Sequence, residues 1–230
     1  MMMRMEWKQA VLFVAGVAVL GSAASPAQTS AAGQTNTAPP APARAGDEPQ
    51  FSIGIGVYGA FNQSTTGNGT QQTTTNSGGG ILEVRYIDRP LAGVEFTYSY
   101  NPANQTIAPS SDCSAHTTCA DPKAVLNSKA STVGLDYVAS RQMGALRPFA
   151  AAGLGFFITS PPNSTFEVQT VVRPDFIVGG GLDWAAMAHL GLRVQVRDNI
   201  YKAPNLSSFN PPTGQYTHTL QPTGGLYYSF

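Results

Sequence analysis

From residue 51 to the last residue, apolar side chains recur at every second position in eight runs separated by polar stretches. Period two is the signature of a strand with one face unlike the other. The runs are 51–62, 78–87, 91–101, 130–139, 147–158, about 171–184, 189–202 and 216–230. In the clearest of them Leu190, Leu192, Val194 and Val196 alternate with Gly191, Arg193, Gln195 and Arg197. The connections alternate in length. Residues 63–77, 102–129, 159–170 and 203–215 are long, polar and rich in Ser, Thr, Asn, Gly and Pro; residues 88–90, 140–146 and 185–188 are short. Each run is long enough for a tilted strand to cross a bilayer, which takes about 9–11 residues. An all-β, eight-stranded, antiparallel up-and-down transmembrane β-barrel follows, with long loops outside the cell and tight turns in the periplasm. An even strand number returns both termini to the periplasm.

The faces decide between a membrane barrel and a soluble one. Glu83, Arg85, Glu95, Asp136, Arg147, Asp183, Arg193 and Arg197 all take the parity opposite to the aliphatic and aromatic residues. If the oily face meets lipid, four acids and four arginines share one lumen. In a barrel this narrow, side chains fill the interior, so those charges are expected to pair as an internal salt-bridge network. A pore or gate lined by the same charges is the rival reading. Tyr86, Trp184, Tyr228 and Phe230 are expected at the periplasmic interface, and Phe61, Tyr98 and Tyr100 near the outer rim. Two positions fit less well. Pro222 removes a ladder donor within the last run, which a bulge or a water-facing strand end would accommodate. Asp198 carries outward parity, which suggests that its strand leaves the hydrocarbon there or bulges.

Composition narrows the picture. Lys+Arg and Asp+Glu number 13 each, and charged residues are 11% of the 230-residue chain. Ordinary soluble domains carry about a quarter. No basic face exists for nucleic acid, while the 24 Gly, nine Tyr and 11 Phe suit a membrane barrel. At the N-terminus Arg4 and Lys8 precede the apolar run 10–20 and then small residues, the order of a secretory signal. Residues 1–27 are read as that signal, cut after Ala24 or Ala27, and 28–50 as a Pro/Ala/Thr-rich periplasmic linker. The barrel domain is 51–230. Cys113 and Cys119, the sole cysteines, are expected to form a disulfide in an exported protein. The seven-residue ring they close would contribute roughly 2.4 kcal/mol by loop entropy.

With these features the chain resembles the small outer-membrane β-barrel proteins of Gram-negative bacteria, the OmpA/OmpX-like barrel domain. Residues 51–230 carry the resemblance, notably 147–155 (RPFAAAGLG) and the closing 225–230 (GLYYSF). Tyr228 and Phe230 resemble the terminal signal read by the barrel assembly machinery. The resemblance implies a monomer in the outer membrane whose partners are membrane lipid, lipopolysaccharide, that machinery and periplasmic chaperones. It implies a structural, envelope-integrity or surface-contact role, or a narrow passive pore. Some similar barrels are lipid A deacylases or palmitoyltransferases, so an enzyme is a third reading. His218 has outward parity near Asp198, but a nucleophile at deacylase spacing is missing, the local sequence being His218-Thr219-Leu220. No catalytic residue, cofactor or metal site is expected.

Overall fold

The computed structural model describes residues 49–89, 91–110, 124–161, 170–206 and 211–230. The stretch expected to be a signal, all but residues 49 and 50 of the expected linker, and Cys113 and Cys119 with their expected disulfide lie outside the described residues. Twelve strands are formed among the rest: β1 (Gln50–Asn62), β2 (Thr65–Gly67), β3 (Thr70–Thr74), β4 (Ser77–Arg89), β5 (Ala92–Pro102), β6 (Gln105–Pro109), β7 (Ala124–Leu126), β8 (Lys129–Ser140), β9 (Leu146–Ser160), β10 (Val171–Ala185), β11 (Leu190–Lys202) and β12 (Tyr216–Ser229). Eight of them close a barrel in the order β1-β4-β5-β8-β9-β10-β11-β12, every pair antiparallel and the last strand hydrogen-bonded to the first. These eight correspond to the eight alternating runs.

Register fixes the geometry of closure. From Ser52 the pairing passes through Arg85, Glu95, Asp136, Gly153, Ile177, Asn199 and Thr219. It returns to β1 at Asn62, ten residues beyond its start. That stagger tilts the strands against the barrel axis, as closure of so small a ring requires.

The faces separate as the alternation demands. Leu192 is 39% and Val194 64% exposed, while Arg193, Gln195 and Arg197 between and beside them are buried. The whole outer wall repeats this: Ile55, Val57, Phe96, Leu135, Leu154 and Phe176 point away from the ring. An apolar exterior around a charged interior inverts the arrangement of a water-soluble protein. It is stable where lipid, not water, meets the wall.

The positions that broke the pattern are resolved without a bulge. At Pro222 the β1–β12 ladder passes from Tyr58↔Thr223 to Phe61↔Leu220 in the same frame, so Gly59 and Ala60 have no ladder partner on that side. On the other side Gly59 still pairs with Gly78 and Ala60 with Ser77. Pro222 itself stays in register with Val196. Asp198 likewise pairs in frame with Val178 and Leu220. The shift that does occur lies elsewhere, between Ile87 and Arg89 in the β4–β5 pairing.

Two of the stretches expected to be loops are not plain loops. β2, β3, β6 and β7 form a second sheet in that order, and they lie within 63–77 and 102–129. Each continues a barrel strand after a two-residue break: β1 into β2, β3 into β4, β5 into β6, β7 into β8. Sequence periodicity missed them because β2 and β3 are polar on both faces and β6 and β7 are too short to display a period. The turn chemistry was nevertheless present. Asn68 (φ 51°) and Gly69 (φ 74°) take the two left-handed positions of a tight hairpin turn, the role for which Asn-Gly is suited. The inner face of this rim sheet buries Thr65, Thr70, Gln72, Gln105 and Ile107. It leans on the connection between β11 and β12: Gln72 Nε2 donates to the Pro204 carbonyl at 2.6 Å, and Asn68 Nδ2 to that of Pro212 at 2.8 Å.

Candidate functional site

The lumen holds the only concentrated chemistry among the described residues, and the strands stack it in layers. The inward positions of β4, β5, β8, β10 and β11 supply the middle layer. Arg85 Nε donates to Glu95 Oε2 at 2.6 Å, and its NH1 to Asp183 Oδ2 across the ring at 3.0 Å. Arg193 Nε and NH2 grip Asp183 at 2.7 and 3.0 Å, a two-pronged contact that the planar guanidinium favours. Its NH1 reaches Glu83 at 2.9 Å and Glu95 at 3.3 Å. Arg197 NH1 donates to Glu95 Oε1 at 3.1 Å, and its NH2 to Asp136 Oδ2 at 2.6 Å and Thr97 Oγ1 at 3.1 Å. Gln195 Nε2 donates to the remaining Glu83 oxygen.

Glu95 is the hub, fully shielded and bound by all three arginines. A lone carboxylate in such a place would carry a large desolvation cost; three guanidinium partners and the hydrogen bonds around them offset it. Gly153, on β9 beside Asp136, makes room for this. A Cβ there would collide with the Leu135 carbonyl and the Asp136 carboxylate.

The structure therefore brings together seven of the eight charged residues singled out in the sequence. Arg147 stands apart. It faces Asp183 in the β9–β10 register, but its guanidinium donates to Gln142 Oε1 at 2.6 Å and to Gln50 Oε1. Together with Tyr227 these residues line a cavity of about 40 Å³ at the end that carries the short turns.

Sequence reading missed the aromatic partners of the network. The Arg85 guanidinium carbon lies 3.9 Å from the Phe149 ring centre, and that of Arg193 5.2 Å from the Tyr227 ring centre. A cation over an aromatic face is attracted by the ring quadrupole. Phe149, Ala151 and Val138 then close the layer below as a small apolar cluster.

Toward the long-loop end the lumen changes character. Tyr58 packs with Ala60 and Ile81, and its hydroxyl donates to Asn101 Oδ1 at 2.9 Å. Phe157 and Tyr201 stack with ring centres 3.9 Å apart and planes inclined by 11°, flanked by Ala103 and Ala130. Tyr201 shares a hydrogen bond with Thr219 at 2.7 Å. Between this stack and the charged layer lie Asp175 and Asn199, which share a hydrogen bond. Extending the inward parity of β10 and β11 by one step would have found both.

On the outer wall His218 and Asp198 meet at 3.3 Å, each about a quarter exposed. The terminal strand is fastened at the opposite end: the Phe230 amide donates to the Phe51 carbonyl at 2.9 Å, the Phe51 and Phe230 rings sit 5.5 Å apart, and Tyr228 lies edge-on to Phe230 at 5.0 Å.

Among solved structures, the outer membrane protein OprG from Pseudomonas aeruginosa matches at a TM-score of 0.52, covering 80% of this chain and 97% of that one at 15% identity. The fold is that of a small outer-membrane β-barrel. Similar coverage is found for the attachment invasion locus protein Ail of Yersinia pestis, with a TM-score of 0.48 and 15% identity over 80% of this chain and 99% of that one. Neisserial surface protein A matches at 0.46 and 12% identity over 79% and 97%. At such identities the likeness to this outer-membrane barrel fold is one of architecture. No family model matches the sequence, and no curated protein does.

Proposed function

We propose that the chain is an integral outer-membrane protein with a filled, salt-bridged lumen and both termini in the periplasm. In this reading it serves the envelope as a non-catalytic structural element and presents its rim sheet and long connections for surface contact. One observation carries the reading: among the described residues, inward side chains occupy successive levels of the lumen, from Phe149 through the Glu95 hub to the Phe157–Tyr201 stack. A wall of exposed apolar residues around buried ion pairs supports the lipid environment. The aromatic end of β12 suits recognition by the barrel assembly machinery and its chaperones, and lipopolysaccharide is the lipid that the long-loop end would meet.

Planar-bilayer recording on the refolded protein tests the plug. Silence at neutral pH is expected, and reproducible single-channel steps would overturn a filled lumen in favour of a narrow pore. The Asp198–His218 pair motivates the one enzymatic alternative, since a carboxylate orients a histidine base in hydrolases. Incubation of wild type and His218→Ala with purified lipid A separates the two: unchanged lipid mass in both is expected, and acyl loss with wild type alone would replace the structural reading.

A further inference from the structure

The charged layer of the lumen satisfies its acids with arginines; the layer above it holds an acid with none. Asp175 is 2% exposed and Asn199 1%. Among the described residues no arginine, lysine or histidine forms an ion pair with Asp175, whose hydrogen-bond partner is the Asn199 side chain, Nδ2 donating to Oδ2 at 2.5 Å. The other oxygen of each group, Asp175 Oδ1 and Asn199 Oδ1, is shielded and without a partner. Both are acceptors, so neither can satisfy the other as long as the acid is ionised. Two orphan acceptors on hydrogen-bonded neighbours and an unneutralised charge are each costly in a water-poor interior.

A single proton removes all three costs. We propose that Asp175 and Asn199 form a proton-binding site, in which the carboxyl group holds a proton on Oδ1 and donates it to Asn199 Oδ1. With the amide donating back to Oδ2, the acid and the amide close a ring of two reciprocal hydrogen bonds.

The surroundings favour this over a charged carboxylate. Arg197, the cation that acts on Asp175 from β11, is already committed to Glu95, Asp136 and Thr97. Asp136 from β8 and Asp198 on the wall side of β11 add negative charge nearby. Tyr201, two residues along β11, is engaged with Thr219. Phe157 from β9 covers Tyr201 as a stacked ring. Arg173 lies two residues along β10 but forms no ion pair with Asp175, and its Nε is itself without a partner. The outer half of the lumen thus contains a neutral, proton-loaded acid, and removing that proton would leave a bare charge under the Phe157–Tyr201 stack. This site stands on lumen geometry alone, whatever the rim sheet contacts.

Infrared spectroscopy of the full chain refolded in detergent micelles tests it, because a protonated carboxyl absorbs apart from carboxylates. At neutral pH the wild type is expected to show a protonated-carboxyl stretch that is lost in Asp175→Asn. In Asn199→Leu the stretch should move in frequency, the acid having lost its amide acceptor. On alkaline titration the wild type should lose the stretch together with thermal stability, whereas Asp175→Asn should keep its stability. A wild-type spectrum without the stretch would overturn the site and assign the two orphan oxygens to a bridging water. A stretch that survives Asp175→Asn, or is unmoved in Asn199→Leu, would overturn it as well. The second variant keeps the test decisive if the first does not refold.

Discussion

Two layers of one lumen solve the same problem in opposite ways. In the middle layer, ionised groups are kept buried by making each arginine serve two or three carboxylates, so that β4, β5, β8, β10 and β11 are tied across the ring. In the layer toward the long loops, the space is taken by a stacked aromatic pair, hydroxyls and an acid–amide pair. The first arrangement is strong only when complete, since losing one member strands its partners. The second is more modular: losing an aromatic ring there leaves mainly a packing defect, and only the acid–amide pair strands a partner. One lumen thus combines a brittle electrostatic waist with a more forgiving layer toward the long loops.

Substitutions can break or sharpen that contrast. The largest effect is expected for Arg193→Met, which strips donors from Asp183, Glu83 and Glu95 at once and should destabilise the barrel by about 3–5 kcal/mol. Urea unfolding from micelles followed by tryptophan emission measures it. The deficit should shrink on acidification, because a protonated carboxyl no longer requires a cation. Next comes a control on the wall: Leu135→Arg, at a position 63% exposed to the surroundings, should cost about 2–4 kcal/mol near the membrane midplane. The same assay in lipid vesicles reads it, and a neutral result would mean that this face does not meet hydrocarbon. Phe157→Leu, in the layer toward the long loops, should lose only about 1–2 kcal/mol through packing and the missing ring contact. A loss as large as that of Arg193→Met would erase the distinction between the layers. Smallest of all, Arg147→Gln should shift stability by under about 0.5 kcal/mol, since its partners are neutral glutamines near an open end. A loss of several kcal/mol would move Arg147 into the network.

The barrel was legible because alternation survives any tertiary context in which one face is oily and the other is not. Leu192 and Arg193 already state which side each takes. The seven charges of the network, Glu95 and the six around it, were legible for the same reason, as parity alone assigns them to one lumen. Their pairing was not, because it depends on the stagger with which eight strands close. Arg147 shares the parity of the network and faces Asp183, yet its hydrogen bonds go to Gln142 and Gln50. The rim sheet stayed hidden for a different cause. Thr66 and Gln71 alternate with Thr65 and Gln72, polar against polar, and β6 and β7, with Ile107 and Val125, are too short for a hydropathy period; only Asn68-Gly69 announced a hairpin. Asp175 and Asn199 keep the inward parity of their strands, one step beyond Ile177 and Arg197, so no change of period conceals them.

The ten-residue stagger of the ring restricts how such a chain can change over time. Removing one residue from any of the eight staves turns every side chain beyond it inside out, and removing two alters the pitch at which the whole hoop joins. Length is therefore frozen along the staves, and drift there proceeds by exchange of one side chain for another. Insertions and deletions are left to the connections, which can lengthen, shorten or diverge without the hoop coming apart.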